Sequence, residues 1–178
     1  MKKLVGGILL CLTFAARAQD PPGRVSFVNE GTIDAPIAEV WKVWSTSDGY
    51  KVLGVALADV DLRVGGLIRS RYGADGALGD EQTIENEILA YEPPRMIAIR
   101  IHRTPRDFPF KQAWKHTWTV VTLTALPDGR THVRAASLGY GTDAESAAMR
   151  RFFEQGNAET MQLLESHFEK RDPKQTAR

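Results

Sequence analysis

The order of the predicted elements constrains this chain most. One short helix opens near residue 34, a long run of strands follows, and one long helix closes the chain. Strands that follow one another without intervening helices favour an antiparallel sheet, whose inner face is left for the final helix to cover. The order therefore predicts an α+β domain in which a curved antiparallel sheet wraps around a long C-terminal helix, with a cavity between them.

The long helix is predicted from near Asp143 to about Lys170, because apolar residues recur there at three- and four-residue steps. It carries Gly156 in its middle, where glycine costs a helix about 1 kcal/mol relative to alanine. One interpretation is that the missing side chain opens a ligand pocket. The other is close packing against the sheet, or against Trp41 or Trp44 of the first helix. The sequence does not decide between them.

The remaining elements follow from alternation and turn residues. The first helix is predicted to open at Asp34, as its cap, with Pro36 in the first turn. A second short helical turn is considered for residues 50–55, and a hairpin turn is predicted at 127–129. The predicted strands cover residues 25–33, 57–62, 68–72, 83–91, 96–102, 114–126 and 131–140.

The N-terminus has the pattern of a cleavable secretory signal. Two lysines precede an apolar stretch over residues 4–15, and Ala16-Arg17-Ala18 forms a small-x-small cleavage site. The stretch is about a dozen residues, fewer than the roughly 20 that span a bilayer. We therefore expect residues 1–18 to be a signal peptide cut before Gln19, residues 19–24 a flexible leader, residues 171–178 a frayed tail, and the protein periplasmic or secreted. Lipidation at Cys11 is a minor alternative, since Leu10 before it is not small.

Charge and cysteine content restrict the partners. The 178-residue chain has 23 basic and 22 acidic residues and one cysteine. Loss of residues 1–18 would leave 20 basic against 22 acidic residues, a net charge of −2, and no cysteine. A near-neutral chain without a basic run is not expected to bind nucleic acid. No membrane span or disulfide is expected either, so the fold of this single domain rests on its apolar core.

Several motifs, in their order along the chain, carry a family resemblance. They are residues 33–41, Asp61-Leu62-Arg63-Val64-Gly65-Gly66, Tyr91-Glu92-Pro93-Pro94-Arg95-Met96, Phe108-Pro109-Phe110, Trp118-Thr119-Val120, Gly139-Tyr140-Gly141, Phe152-Phe153 and Gly156-Asn157-Ala158. Together they resemble the START-like (SRPBCC) superfamily, and within it the branch named for the activator of the ninety-kilodalton heat-shock protein ATPase. The resemblance covers about residues 25–170.

The resemblance implies a helix-grip fold of six or seven strands with a mostly apolar tunnel beside the C-terminal helix. Members bind lipids, sterols, polyketides or other hydrophobic small molecules, and a minority are cyclases or hydrolases. The co-chaperone activity is not expected to transfer, because an exported protein meets no cytosolic chaperone. We therefore expect a hydrophobic small molecule as partner, no cofactor, and no protein partner that the sequence identifies.

The expected binding residues combine inward strand positions with one face of the last helix. A few convergent polar groups on an apolar wall orient a small ligand, although the same groups could bond one another in an ordinary core. Asn157 could equally cap a local kink in the helix. The expected ligand-binding residues are Trp44, Ile68, Tyr72, Asn86, Ile88, Ile99, Leu123, Ser137, Phe153, Gly156, Asn157 and Thr160.

Two alternatives remain open. A cyclase or hydrolase would need a titratable side chain inside the pocket, but Glu85 and Glu87 are expected on the outer face, and we assign no catalytic residue. His102 and His116 are expected at the ends of neighbouring strands without enough companions for a metal site. An interaction module would use the loop at 104–111 with its two phenylalanines, unless that loop simply docks onto Trp114.

Overall fold

The computed structural model describes residues 25–170. The predicted signal peptide, Cys11, the leader at 19–24 and the tail at 171–178 lie outside the described residues. Among residues 25–170, none of the helices combines the length and apolar character needed to cross a membrane.

One seven-stranded antiparallel sheet and one long helix make up most of the described chain. The strands are β1 (Val25–Ile33), β2 (Leu57–Val60), β3 (Leu67–Arg71), β4 (Ile84–Glu92), β5 (Met96–Arg103), β6 (Trp118–Ala125) and β7 (Thr131–Tyr140). The helices are α1 (Ile37–Ser45), α2 (Ser47–Tyr50) and α3 (Ala144–Glu169), with 3-10 segments at Lys51–Leu53 and Ala113–His116. The strand order is β1-β7-β6-β5-β4-β3-β2, which confirms the predicted α+β helix-grip architecture.

The strand register places alternate residues in rows on the inner face of the sheet. Ser137 of β7 is opposite both Phe27 of β1 and Thr119 of β6. Thr119 is in turn opposite Ile99 of β5, which is opposite Ile88 of β4. A single row therefore crosses five strands, and α3 faces it from one side.

The apolar core lies mainly at one end of the sheet. There α1 and the C-terminal half of α3 cover the inner face, with Val40, Leu164 and Val133 each almost fully buried. A smaller apolar cluster surrounds Met149 near the N-terminal end of α3. Between these two clusters the sheet and α3 do not pack against each other.

The helix α3 begins and packs asymmetrically. The Oδ1 of Asp143 accepts a hydrogen bond from the Ser146 amide at 2.9 Å, so Asp143 is the N-cap. Along the helix the main contacts are with β1, where Asn29 Nδ2 donates to the Glu154 carbonyl at 3.4 Å. Because α3 packs along β1, the inner face of the middle strands is left partly uncovered.

Two local predictions were wrong. Asp34 does not cap α1: Pro36 is the N-cap in an extended conformation, and its carbonyl accepts the first helical hydrogen bonds. The predicted strand at 114–126 begins only at Trp118, because residues 113–116 form a 3-10 turn that the Thr117 hydroxyl closes on the Trp114 carbonyl at 2.9 Å. The predicted second helical turn at 50–55 corresponds to the end of α2 and the following 3-10 segment.

Gly139 explains why the 3-10 turn can approach β7 so closely. Its φ is +85°, in the left-handed region that favours glycine. A Cβ at this position would stand 2.0 Å from the His116 carbonyl oxygen. Glycine is therefore required here both by the backbone conformation and by the close approach of the turn.

Candidate functional site

A cavity of about 470 Å³ lies between the inner face of the sheet and α3. Its floor comes from β3 to β7, and its roof from α3 through residues such as Phe153, Asn157 and Leu164. The 3-10 segment after α2 forms one side wall, and the loop at 104–109 forms another. The lining is mostly apolar and aromatic. Tyr72 and Phe152, 68% and 51% exposed, stand at its opening.

The structure places eight of the twelve predicted binding residues on the cavity wall. They are Trp44, Tyr72, Asn86, Ile99, Ser137, Phe153, Asn157 and Thr160. Tyr72 is not the inward strand residue that alternation indicated, because β3 ends at Arg71 and the ring lies at the opening instead. Whether any of the eight contacts a ligand stays a prediction.

Three predicted residues lie in the packed core rather than on the cavity wall. Ile68 and Ile88 are fully buried and Leu123 is 2% exposed, all within the larger apolar cluster. They face inward, as expected. They do not reach the cavity because the residues of α1 and the C-terminal half of α3 cover that part of the sheet.

Gly156 lies outside the cavity lining as well. A Cβ built there would meet no atom within 4 Å beyond its own helical backbone. The close-packing interpretation of this glycine is therefore wrong, because neither the sheet nor the first helix approaches it. Its carbonyl accepts a hydrogen bond from the Thr160 hydroxyl at 2.9 Å.

A first group of polar side chains, the Ser137 cluster, joins the sheet to α3 inside the cavity. It consists of Ser137, Thr119, Asn157 and Tyr140. The Asn157 Nδ2 donates to the Ser137 Oγ at 3.3 Å, and the Thr119 Oγ1 lies 3.3 Å from the same oxygen. Burial raises the pKa of Tyr140 and outweighs the opposing effects of Arg150 and Ser137, so its hydroxyl stays protonated. Asn157 thus points into the cavity and does not cap a kink.

A second group, the Asn86 cluster, lies three strands away. It consists of Asn86 of β4, Tyr50 of α2 and Ser70 of β3, all on the cavity wall. Burial first, and the nearby Tyr72 second, raise the pKa of Tyr50 to about 12, and a hydrogen bond with Asn86 opposes this only in part. Tyr50 therefore stays neutral at physiological pH. Its side chain is a hydrogen-bonding group, not a base.

An aromatic cluster borders the cavity beside the N-terminal half of α3. Phe108 and Phe110 of the loop lie against Phe152 and Phe153 of the helix, with ring centroids 5.3 to 6.2 Å apart. Edge-on contacts of this kind are favourable. The loop therefore docks mainly on the helix, not simply on Trp114, and its two phenylalanines are half-buried rather than displayed for a partner.

An ion-pair cluster supports the loop at 72–83, which contributes Tyr72 and Gln82 to the cavity wall. The buried Arg71 guanidinium bonds Asp75 at 2.7 Å, Asp80 at 3.0 Å and the Gly73 carbonyl at 2.5 Å. Hydrogen bonding to Asp75, more than the proximity of Asp80, raises the pKa of Arg71 despite partial desolvation. The cluster holds this loop in place. The loop also contacts the loop at 104–109, since the Gln82 Nε2 donates to an Asp107 carboxylate oxygen at 3.1 Å.

Charged side chains contribute little to the cavity wall. Arg100 and Asp107 are its charged members; both are exposed, and Arg100 bonds Glu87 at 2.7 Å. His102 and His116 are exposed and lie off the wall, His116 in a 3-10 turn rather than at a strand end. Within residues 25–170, no three His, Cys, Asp or Glu side chains come together as metal ligands. The cavity offers neutral hydrogen bonds and aromatic surface.

Sequence reasoning missed several wall residues. Thr119 was within reach, since it alternates with Val121 and Leu123 on the face that was already predicted to be inward. Tyr50 lay in a segment of ambiguous structure, and Tyr140 was noted only as part of a motif. Phe108 had no sequence signal to place it against Phe153, 45 residues further along the chain.

Comparison with known proteins is consistent with this geometry. Residues 34–169 match the family described as Activator of Hsp90 ATPase homolog 1-like protein. A comparison with curated proteins finds no match.

Solved structures with a similar fold come from several bacteria. A protein of Mesorhizobium loti aligns at a TM-score of 0.63 and 21% identity, over 83% of this chain and 99% of its own. A protein of Mycobacterium smegmatis aligns at a TM-score of 0.60 and 20% identity, over 79% of this chain and 88% of its own. The Aha1 dimer of Colwellia psychrerythraea aligns at a TM-score of 0.57 and 15% identity, over 79% of this chain and 96% of its own. At these identities the likeness concerns the fold.

Proposed function

We propose that this chain, which belongs to the Activator of Hsp90 ATPase homolog 1-like protein family, binds or carries a hydrophobic small molecule in the cavity between the sheet and α3. The observation that carries the proposal is the cavity itself, about 470 Å³ with a mostly apolar wall. Small-molecule sites typically occupy about 300 to 1,000 Å³ and combine apolar walls with a few placed polar groups.

The packing around the cavity supports binding over a purely structural role. Protein interiors are close-packed, and the core beside the cavity follows that rule through fully buried residues such as Ile68 and Ile88. The cavity wall does not follow this packing rule, because it encloses unfilled space although large aromatic side chains line it. Phe152 and Tyr72 stay exposed at the opening, where an entering apolar molecule would cover them.

The wall also favours binding without chemical conversion. Its enclosed titratable groups are Tyr50 and Tyr140, whose pKa values are both raised, so neither is suited to accept a proton near neutral pH. A group that orients a ligand needs only to donate or accept a hydrogen bond. Both polar clusters meet that requirement.

Binding can be tested with N-phenyl-1-naphthylamine, an uncharged dye whose fluorescence rises in apolar surroundings. We expect saturable binding to the full chain. Ala135 lies on the cavity floor, so Ala135→Phe should fill the space and weaken dye binding at least tenfold. The matched control is Ala125→Phe, which adds the same ring at an exposed position off the cavity wall. Equal dye affinity in both variants, with folding verified by circular dichroism, would overturn the proposal.

We further propose that the domain acts outside the cytoplasm, because the basic start, apolar stretch and Ala16-Arg17-Ala18 site have the pattern of a secretory signal. Expression of the full chain in a Gram-negative host followed by fractionation tests this. We expect periplasmic protein whose N-terminus, read by mass spectrometry, is Gln19. Protein retained in the cytoplasm with residues 1–18 attached would show that no export occurs.

A further inference from the structure

The charge of the cavity wall restricts the chemical class of its occupant. Among residues 25–170, its enclosed polar side chains are all uncharged: the Ser137 cluster, the Asn86 cluster, Thr104, Thr117 and Thr160. The two charged members of the wall, Arg100 and Asp107, are exposed and already paired with Glu87 and Gln82. Arg150 lies near Tyr140 and Glu159 near Tyr72, but neither lines the cavity.

An ionised ligand would therefore enter without a counter-charge. Moving an unpaired carboxylate or ammonium group out of water into an apolar site is strongly unfavourable. A hydroxyl, carbonyl or amide needs only a hydrogen bond in compensation, and the wall provides several. This asymmetry selects against fatty acids and amines and in favour of uncharged molecules.

The two clusters also lie at separate ends of an apolar floor. Asn86 of β4 is opposite Ile101 of β5, whereas Ser137 of β7 is opposite Thr119 of β6. Three strand-to-strand steps thus separate Asn86 from Ser137, roughly 14 Å along the sheet at about 4.8 Å per step. Between them Ile99, Val121 and other apolar side chains form the floor.

Each cluster keeps hydrogen-bonding capacity for a ligand. The Asn157 amide donates to Ser137 through Nδ2, and none of the hydrogen bonds found among residues 25–170 engages its Oδ1. Ser70 is 2% exposed and lines the cavity, and its hydroxyl makes no side-chain hydrogen bond within the described part of the chain. Both groups belong to residues of the cavity wall, so a ligand hydroxyl or carbonyl can bond them in place of water.

We propose that the cavity takes an uncharged, elongated molecule with a hydroxyl or carbonyl group at each end of an apolar body. One end bonds the Ser137 cluster and the other bonds the Asn86 cluster. This inference rests on the proposed binding function and adds its ligand class. Length and charge follow from the positions of the two clusters and from the absence of a charged side chain on the enclosed part of the described wall.

Competition against N-phenyl-1-naphthylamine tests the charge requirement with molecules of one chain length. We expect dodecan-1-ol to displace the dye at a concentration at least tenfold lower than dodecanoate or dodecylamine at pH 7.5. Equal or better displacement by dodecanoate would overturn the inference while leaving hydrophobic binding intact. Absence of dye binding altogether would instead remove the proposed function itself.

A second comparison tests the two-ended arrangement. We expect decane-1,10-diol to compete better than decan-1-ol, although the diol is the less hydrophobic molecule. Ser137→Ala and Asn86→Leu should each reduce the advantage of the diol at least threefold, whereas Thr124→Ala, at an exposed position off the cavity wall, should preserve it. Better competition by the mono-alcohol in the unmodified protein would contradict a second polar end.

Discussion

The Nδ2 of Asn157 on α3 donates a hydrogen bond to the Oγ of Ser137 on β7 at 3.3 Å. Ser137 is 2% exposed, and Asn157 is half-buried above it. This bond ties helix to sheet inside the cavity, in a region where α3 otherwise packs along β1. The polar wall of the cavity is thus also a link between its roof and its floor.

Removing this link should destabilise the fold modestly. We expect Asn157→Ala to lower the free energy of unfolding by about 0.5 to 1.5 kcal/mol, the usual net value of one hydrogen bond. Urea denaturation measures the change, and a double-mutant cycle with Ser137→Ala should give a coupling of about 0.5 kcal/mol or more. Gln162→Ala, an exposed change on the same helix, is the control. Additive single effects would show that the two side chains do not interact.

Gly156→Ala should stabilise the protein. The added methyl group meets no atom within 4 Å outside the helix backbone, and alanine is favoured over glycine in a helix interior by about 1 kcal/mol. We expect a gain of roughly 0.5 to 1 kcal/mol in the free energy of unfolding, without loss of dye affinity. The contrasting variant is Gly139→Ala, which should destabilise because the methyl group would collide with the His116 carbonyl. A destabilised Gly156→Ala protein would restore the close-packing interpretation.

Loss of Arg71 should make the loop at 72–83, beside the cavity opening, more mobile. Its guanidinium bonds Asp75 and Asp80, and the Asp80 carboxylate also accepts the Ala77 and Gln82 amides. In Arg71→Met we therefore expect hydrogen exchange across residues 73–83 to accelerate more than about tenfold. Mass spectrometry of deuterated peptides measures this rate.

The control for Arg71 is Arg130→Met. Arg130 pairs with Asp128 at 2.7 Å, but both side chains are about half exposed, and such surface pairs contribute little to stability. We expect unchanged exchange in residues 73–83 for this variant. Similar exchange at 73–83 in Arg71→Met and the unmodified protein would mean that the ion-pair cluster does not hold the loop.

The buried phenol of Tyr50 predicts a loss of stability at high pH. Its folded pKa, raised to about 12, lies above the unfolded value near 10, so the folded state retains the proton that the unfolded state releases. Stability from Tyr50 is therefore complete below pH 10 and declines by about 3 kcal/mol as the pH rises to 12. Tyr140 adds to the decline in the same direction.

Urea denaturation between pH 8 and 12 measures this decline. In Tyr50→Phe the phenol is absent, so we expect a smaller decrease over the same interval. Absorbance at 295 nm should show one fewer late-ionising tyrosine in the variant. If the free energy of unfolding falls with pH in Tyr50→Phe and Tyr140→Phe as steeply as in the unmodified protein, the buried phenols do not control alkaline stability.

Periodicity along single elements was enough to predict the fold. Alternation in Thr131–Tyr140 identified β7 with its observed bounds, and the apolar steps from Met149 to Phe168 identified α3. These signals are local, because residues two apart in a strand or three to four apart in a helix share a face. The prediction failed where local rules compete, as at Asp34, where the proline two residues later became the cap.

The cavity wall was only partly accessible to the same reasoning. Ser137 and Asn86 were identified as inward because alternation applies to both strands. Ile68 and Ile88 face inward too, but other side chains pack over them, so they do not line the cavity. Which inward residue meets empty space depends on where α3 crosses the sheet, and no pattern within one strand contains that information.

The amino-acid order was sufficient for the element sequence, the inward face of each strand and the expectation of a gap beside the last helix. These follow from backbone geometry and from the separation of apolar and polar residues over short distances. Tertiary packing alone decided that Asn157 meets Ser137, that Phe108 meets Phe153, and that Gly156 meets nothing. Such contacts join residues 20 or more positions apart, and their existence depends on how a rigid helix settles on a twisted sheet.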